Sequence, residues 1–513
     1  MNIVTKETAI NREYQKNIDF SVTHSAGSFG YSRTNFSFKV TKTNLRISTF
    51  ISSAFARNNF KYKYTLSDSV EWKERENNQK LSGDFNLRIN HQNKYLNWKY
   101  NLLFRNFHKG LPGPINSLNM NDKARLDGKT ARNFLELSKK IKSVFLNSDF
   151  YFFNETTRFE NTESSLPYYN IIGNTKYEKK GGKLTADYGI KEFFDSQSGI
   201  EFRREDFEYE CETSQTASIA PVFLQDSAIF TAFNFYQKLY PFRFEEDFSV
   251  RFDHPFRSDE VQFNDFLSWK TEGYAEFQGL ISIRIGGGIG NSFSLPSFYD
   301  LYWKGDSNAV GNPYLKPEIG QNKYAFLHFV SSNNDVKIEF LRNKIEDLIY
   351  WHRSVNSWKP DNIAAAEISN LIFSGEINPF FFWKTGWQIN LTKALDKTLN
   401  EDGSASNTFN RPLIYTPDKK IVAFTSFSLN DFYLKISYTK IGKQRTSRYN
   451  DNKMLAAYEL VDTQFAFEKK LGNFDMKFYI QLNNVFDEHY EIYLLSPRPG
   501  FNWKTGISLE TKL

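Results

Sequence analysis

Apolar and polar residues alternate one by one along most of this chain, in runs of about ten residues. The stretch Asn97–Phe107 is the clearest. Trp98, Tyr100, Leu102 and Phe104 share one face, and Asn97, Lys99, Asn101 and Arg105 share the other. Side chains in a strand point alternately to its two faces, so this is a strand with one oily and one wet side. Soluble strands average about five or six residues, whereas a tilted strand crossing a bilayer needs about nine to eleven. The same period sets Phe36, Phe38 and Val40 against Ser37, Lys39 and Thr41, and Phe85, Leu87 and Ile89 against Asn86, Arg88 and Asn90. It returns at Phe60, Tyr62 and Tyr64, at Leu45, Ile47, Thr49 and Ile51, at Val336, Ile338 and Phe340, at Phe432, Leu434, Ile436 and Tyr438, and from Phe474 to Leu482.

No apolar run approaches the roughly 18 residues of a spanning helix. Backbone amides in a bilayer find no water, so only a helix or a closed barrel satisfies them. If the chain enters a membrane it does so as a barrel. Composition agrees: 17% of the 513 residues are aromatic, with 51 Phe and 28 Tyr, while hydrophobic residues reach only 40%. A soluble core would draw on Leu, Val, Ile and Ala, but a wall between lipid and water explains both values. The net charge of +6 is dispersed, so no nucleic-acid groove is expected. Cys211 is the single cysteine, which excludes an internal disulfide or thiolate metal site.

Asn90–Asn93, Lys179–Gly182, Leu471–Asn473 and Thr43-Asn44 read as tight turns, and Ser67–Leu81, His108–Thr130 and Thr398–Arg411 as long polar loops. Short turns on one rim and long loops on the other mark an outer-membrane barrel. The count of candidate strands is a little over about twenty, with no repeat and no interdomain linker. Ile285–Gly290 carries four glycines but neither a Lys-Ser/Thr nor a helix follows, so it reads as a bend at a strand rim rather than a phosphate loop. None of the seven histidines forms a His-x-x-x-His pair, and no Gly-x-Ser-x-Gly occurs. An enzyme is therefore not expected, no cofactor is implied, and any metal would arrive inside an organic chelate.

Three stretches resemble the TonB-dependent receptors of bacterial outer membranes. Pro296, Phe298, Asp300, Leu301 and Tyr302 sit in a Pro-x-Phe-x-Asp-Leu-Tyr pattern, and Gly311-Asn312-Pro313-Tyr314-Leu315-Lys316-Pro317-Glu318 follows it. Near the end, Asn484, Phe486, Asp487 and Tyr490, then Pro499-Gly500 before a final alternating strand, are similar to the family's closing pattern. Phe501 stands where the family has Arg, and the terminal Leu513 where such barrels often end in Phe or Trp. Asn2–Lys6 resembles the tail of the family's plug domain, and Ala26–Gly30 the entry to the barrel.

The resemblance implies an all-β transmembrane antiparallel barrel of about 22 strands, with residues 1–15 a plug remnant and linker and 16–513 the barrel. It implies an outer-membrane importer of a ferric siderophore, haem or cobalamin. The expected partners are outer-membrane lipid and lipopolysaccharide, a metal chelate and, given an N-terminal coupling segment, the TonB complex; the expected state is a monomer. Met1–Lys6 has no apolar h-region, so a signal peptide, TonB box and most of a plug are expected to be missing from this chain. A plugless porin-like channel and a non-functional truncated receptor stay open as alternatives. In a porin Lys39, Lys61, Lys63, Arg88, Lys99 and Arg105 would line the lumen. Candidate ligand contacts are Asp300, Tyr302, Trp303, Trp351 and Trp358, with Tyr350 and His352 beside them; the same aromatics also suit an interfacial girdle.

Overall fold

The computed structural model describes residues 14–66, 69–113, 115, 123–162, 170–190, 193–213, 218–259, 261–303, 309–353, 358–400, 402–450 and 453–512. The expectations for Asn2–Lys6 and Leu513 lie outside them.

Twenty-two of the strands form one antiparallel sheet, and three short two-stranded sheets lie apart from it. It closes because the first strand, Tyr14–Gly27, pairs with both the second, Tyr31–Thr43, and the last, Asn502–Lys512. The closing register runs from Asp19↔Lys512 to Gly27↔Lys504, and the Thr23 and Ser508 hydroxyls meet across it at 2.8 Å. The first strand begins at Tyr14, so residues 14 and 15, expected to precede the barrel, belong to its wall. Ala26 and Gly27 end that strand and Ser28–Gly30 make a 3-10 turn, so this stretch is the first hairpin connection rather than the barrel's entry.

Connections alternate in length. Residue 44 alone joins Tyr31–Thr43 to Leu45–Ala56, and two residues suffice at 142–143, 430–431 and 472–473. Lys142, Asn430 and Gly472 carry φ of 55°, 51° and 62°, the left-handed backbone that two-residue hairpins require. The opposite rim carries the long segments 57–79, 295–317, 397–418, 442–457 and 484–501. Short turns face the periplasm in such barrels and long loops the exterior.

The segment 295–317 identifies the lumen. It leaves the strand Ser282–Ser294 and stacks Phe298 on Phe207 of Phe194–Cys211, four strands round the wall, a path open only on the concave side. The face of Phe207 is also the charged face. Arg251 pairs with Glu201 and Asp253 at 2.8 Å, and Arg203 with Asp226 at 3.4 Å, tying three neighbouring strands together. The register carries this parity round the barrel. Phe104 stands beside Phe85 and Ala131 on the outer face, while Arg105 bonds Asp84 at 2.5 Å in the lumen.

Four expectations are corrected. Lys179–Gly182 is not a turn but the middle of Ile171–Ile190. Gly181 faces Tyr151, and a Cβ there would meet that ring and, at 2.5 Å, Phe202 O. Gly286–Gly290 lies inside Ser282–Ser294, not at a rim; a Cβ on Gly286 or Gly288 would sit 2.8 Å from the ring of Phe326 or Tyr324. These glycines clear space for aromatic rings on neighbouring strands. Lys61 and Lys63 belong to an external hairpin, Lys61–Leu66 with Ser69–Glu74, rather than to the lumen wall, and the same hairpin interrupts the loop expected at Ser67–Leu81. The loop expected at His108–Thr130 is shortened because strands Asn97–Leu111 and Ala124–Ile141 remain paired as far as Leu111↔Ala124. Their polar sequence reflects water on both sides, not the loss of pairing.

Phe104→Arg should destabilise the barrel in phospholipid vesicles by roughly 2–4 kcal/mol, the figure for a cation near the midplane of a lipid face. Arg105→Ala loses one exposed ion pair and should cost about 1 kcal/mol or less. Urea unfolding followed by tryptophan emission checks both, and equal costs would contradict the assigned faces.

Candidate functional site

The two halves of the first family-like motif meet at the loop-side mouth. Pro296 is buried and Ser297 caps a short helix, α1 (Phe298–Tyr302). The Asp300 amide donates to Ser297 Oγ at 3.2 Å, and the Ser297 amide donates back to Asp300 Oδ2 at 3.1 Å. This reciprocal cap satisfies donors that a single helical turn leaves open. Phe298 and Leu301 are buried, and Phe298 meets Phe207 at 5.3 Å and Tyr177 edge-on at 6.2 Å. The helix is thus anchored by aromatic stacking to the inner wall.

The return half locks it in place. Trp351 Nε1–H donates to Asp300 Oδ1 at 2.8 Å, from the neighbouring hairpin Asn334–Arg353/Trp358–Phe380. Gly311 lies against the end of α1, where a Cβ would be 2.6 Å from backbone atoms of Leu301, Tyr302 and Trp303. The Asn312 amide donates to Asp300 O at 2.8 Å, and its side chain donates to Pro360 O at 3.1 Å and Asp361 Oδ1 at 2.9 Å. Leu315 is fully buried, Pro317 half-buried, and Glu318 Oε1 accepts from the Ile349 amide at 2.8 Å.

Arg257, absent from any sequence motif, joins the halves. Its guanidinium is buried and donates to Tyr302 Oη at 2.9 Å, to Pro313 O at 3.3 Å and to Asp259. Tyr302 in turn donates to Asp259. Burial, then the bond to Asp259, pushes the Tyr302 hydroxyl up to about 12, against the pull of Arg257. Burial and the Glu155 carboxylate also raise Tyr299. Both rings therefore stay neutral donors at physiological pH.

Asp300, Tyr302 and Trp351 are thus brought together, and their polar atoms are engaged in this brace. Trp303 is half-buried and caps α1, its ring 5.5 Å from Tyr299. Trp358 is part-exposed on the other side of residues 309–310, whose Val310 amide bonds its carbonyl at 2.8 Å. The most exposed aromatic side chain of this segment is instead Tyr314, at 77%, with Tyr299 also exposed. Tyr314 sits inside the recognised motif, but only its fold places it outward. Arg257 had no sequence signal beyond the end of an alternating run.

The second motif shapes the last loop. Asn484, with φ 48°, accepts from the Glu488 amide at 2.9 Å and donates to Glu488 O at 2.8 Å. Asp487 Oδ1 accepts from the Phe501 amide at 2.6 Å and lies where a Cβ of Gly500 would be, and Pro499 O receives a weak bond from Asn484 at 3.5 Å. Tyr490 stacks on Tyr458 at 4.5 Å, whereas Phe486 is exposed. From this base the loop reaches over the first strands, where the Ile115 amide donates to Leu495 O at 2.8 Å and Trp72 meets His489 at 5.0 Å. Two loops of this rim thus reach across several strands to contact other parts of the mouth. Among the described residues no three His, Cys, Asp or Glu side chains gather as a metal site.

Comparisons with known proteins agree with this architecture. Residues 7–485 match the family described as TonB dependent receptor-like, beta-barrel. The vitamin B12 transporter BtuB of Vibrio vulnificus is 34% identical over 84 residues, 16% of this chain and 13% of that protein. BtuB of Photobacterium profundum is 33% identical over 94 residues, 17% and 15% of the two lengths. The matched segments thus span a small part of these relatives. Among solved structures, the copper transporter OprC superposes with a TM-score of 0.76 at 12% identity, over 97% of this chain and 80% of that one. The FrpB iron transporter of Neisseria meningitidis gives 0.73 at 10% identity, over 97% and 81%. A variant of the ferric enterobactin receptor PfeA of Pseudomonas aeruginosa gives 0.71 at 12%, over 97% and 80%. At such identities the likeness is one of fold.

Trp351→Phe keeps the ring but removes the donor to Asp300, and should weaken α1 by about 0.5–1.5 kcal/mol. Gly311→Ala should do more, because the clash is with backbone. Hydrogen exchange at residues 298–303 should rise in that order, with the barrel strands unchanged.

Proposed function

The chain belongs to the TonB-dependent receptor family of the Gram-negative outer membrane, and we propose that it forms the wall and outer mouth of an importer for a ferric siderophore, haem or cobalamin. The observation that carries this reading is the braced loop 295–317. Both halves of a family motif are used to fold an aromatic segment inward over the lumen. Tyr314, Tyr299 and Trp303 then supply flat, polar-edged surface for a large, partly aromatic chelate. The loop 484–501 supplies another part of the mouth.

Under this reading the chelate brings its own metal, and the protein recognises the organic shell. Most ligand cavities bury the greater part of their ligand among apolar and aromatic side chains with a few fixed polar groups. Release into the lumen would be driven by the TonB complex from the periplasmic side. The barrel's paired charges on Arg251, Glu201, Asp253, Arg203 and Asp226 would keep the wall rigid while its contents move.

The test is a titration of the purified chain in detergent with a ferric catecholate, haem and cobalamin, read by tryptophan quenching. One class should bind with a Kd of about 1 μM or tighter, near −8 kcal/mol. Tyr314→Ala should weaken it by about tenfold while leaving the barrel folded. Absence of binding by all three, together with a large steady conductance in planar bilayers, would replace the importer by a passive channel.

A further inference from the structure

The outer wall changes character at a defined height. Lys344 lies ten residues above the short-turn end of its strand, Asn334–Arg353 (344 − 334 = 10). Lys393 lies ten above the start of Trp383–Asp396 (393 − 383 = 10), and Lys419 ten above the end of Lys419–Leu429 (429 − 419 = 10). Ten residues at about 3.3 Å each, tilted about 40°, rise about 25 Å, the height of the apolar band of such barrels. All three face outward by register, as do Lys323 and Arg342, which are partners on adjacent strands.

Beneath them the same sector is oily: Phe340 and Leu391 are exposed on the wall. Arg342 bonds Glu367 at 3.0 Å, and Glu346 stands two residues above Lys344. Arg342, Lys344, Lys393 and Lys419 thus face the carboxylates of Glu367 and Glu346. Among the described residues Lys323, Lys344, Lys393 and Lys419 make no ion pair. At another point of the wall at this height the charges are paired. Lys180 and Arg204, also ten residues up their strands (190 − 180 = 10; 204 − 194 = 10), both pair with Asp206, at 3.7 Å and 2.8 Å.

We infer that this sector docks a phosphorylated glycolipid of the outer leaflet, its acyl chains against Phe340 and Leu391 and its phosphates among Lys344, Lys393 and Lys419. The excess charge lies on the loop side, at the boundary where outer-leaflet phosphates sit, and away from the inner leaflet. Lysines meet phosphate as point charges, and Arg342 adds a fork beside them. The inference rests on the outward face assigned above and not on which chelate is imported.

The test uses the full chain in nanodiscs, with a bis-phosphorylated lipid A, the same lipid stripped of phosphate, and phosphatidylglycerol as probes, read by native mass spectrometry. The phosphorylated glycolipid should be retained in preference to both others. Lys344→Ala/Lys393→Ala/Lys419→Ala should lower its affinity roughly 100-fold, at about fivefold per lysine. Lys180→Ala should change it less than about threefold. Equal retention of phosphorylated and stripped lipid by the unaltered chain would overturn the inference without needing any variant to fold. So would full retention by the triple variant, or equal binding of phosphatidylglycerol. Chelate binding, measured separately by quenching, would remain as it was in each case.

Discussion

Every peptide group inside the bilayer has to find its partner within the protein, and this requirement organises the whole molecule. A sheet with an edge cannot meet it, so the first and last strands must join. They do so over Asp19–Gly27 and Lys504–Lys512, with side-chain support from Thr23 and Ser508. Closure then divides the side chains into two populations. One faces lipid and is aromatic or aliphatic; the other faces the lumen and pairs its charges. The unusual combination of many phenylalanines with modest overall hydrophobicity follows from that division.

The mouth obeys a different rule. Above the membrane the backbone can bond to water, so irregular segments are allowed, and what holds them is side-chain chemistry. Here one arginine, Arg257, gathers Tyr302, Asp259 and the Pro313 carbonyl, while Trp351 and the cap of Ser297 share the carboxylate of Asp300. A part-buried network of this kind is costly to break at any one member, because each loss leaves another group unpaired. That favours a fixed platform over a mobile flap at this side of the entrance.

Much of this architecture was legible in the chain. The alternation around Phe104 and Arg105 assigns faces because period two is a direct geometric consequence of the strand. The turn at Leu471–Asn473 is visible because two-residue hairpins demand left-handed backbone. Gly181 and Gly286 misled for a related reason: glycine marks turns, but it also marks places where a neighbouring ring needs room, and only the partner strand reveals which. Lys61 and Lys63 misled because a water-exposed hairpin and a membrane strand share the same period. At the mouth, Asp300, Tyr302 and Gly311 stood out by pattern, yet their bonding to Arg257 and Trp351 depends on strands far away in sequence. No local signal encodes such a meeting.

The closing pair also has a kinetic side. The hydroxyls of Thr23 and Ser508 touch although 485 residues separate them in the chain. Such a contact has nearly the highest possible contact order, and joining ends so far apart carries the largest loop entropy in the molecule. The N-terminal strand therefore waits, one edge unpaired, until the C-terminal strand arrives. An unpaired edge is a template for aggregation. The order of the strands thus makes assembly an all-or-none event decided at the far end of the polypeptide, and gives the cell a reason to guard the chain until its final strand is in hand.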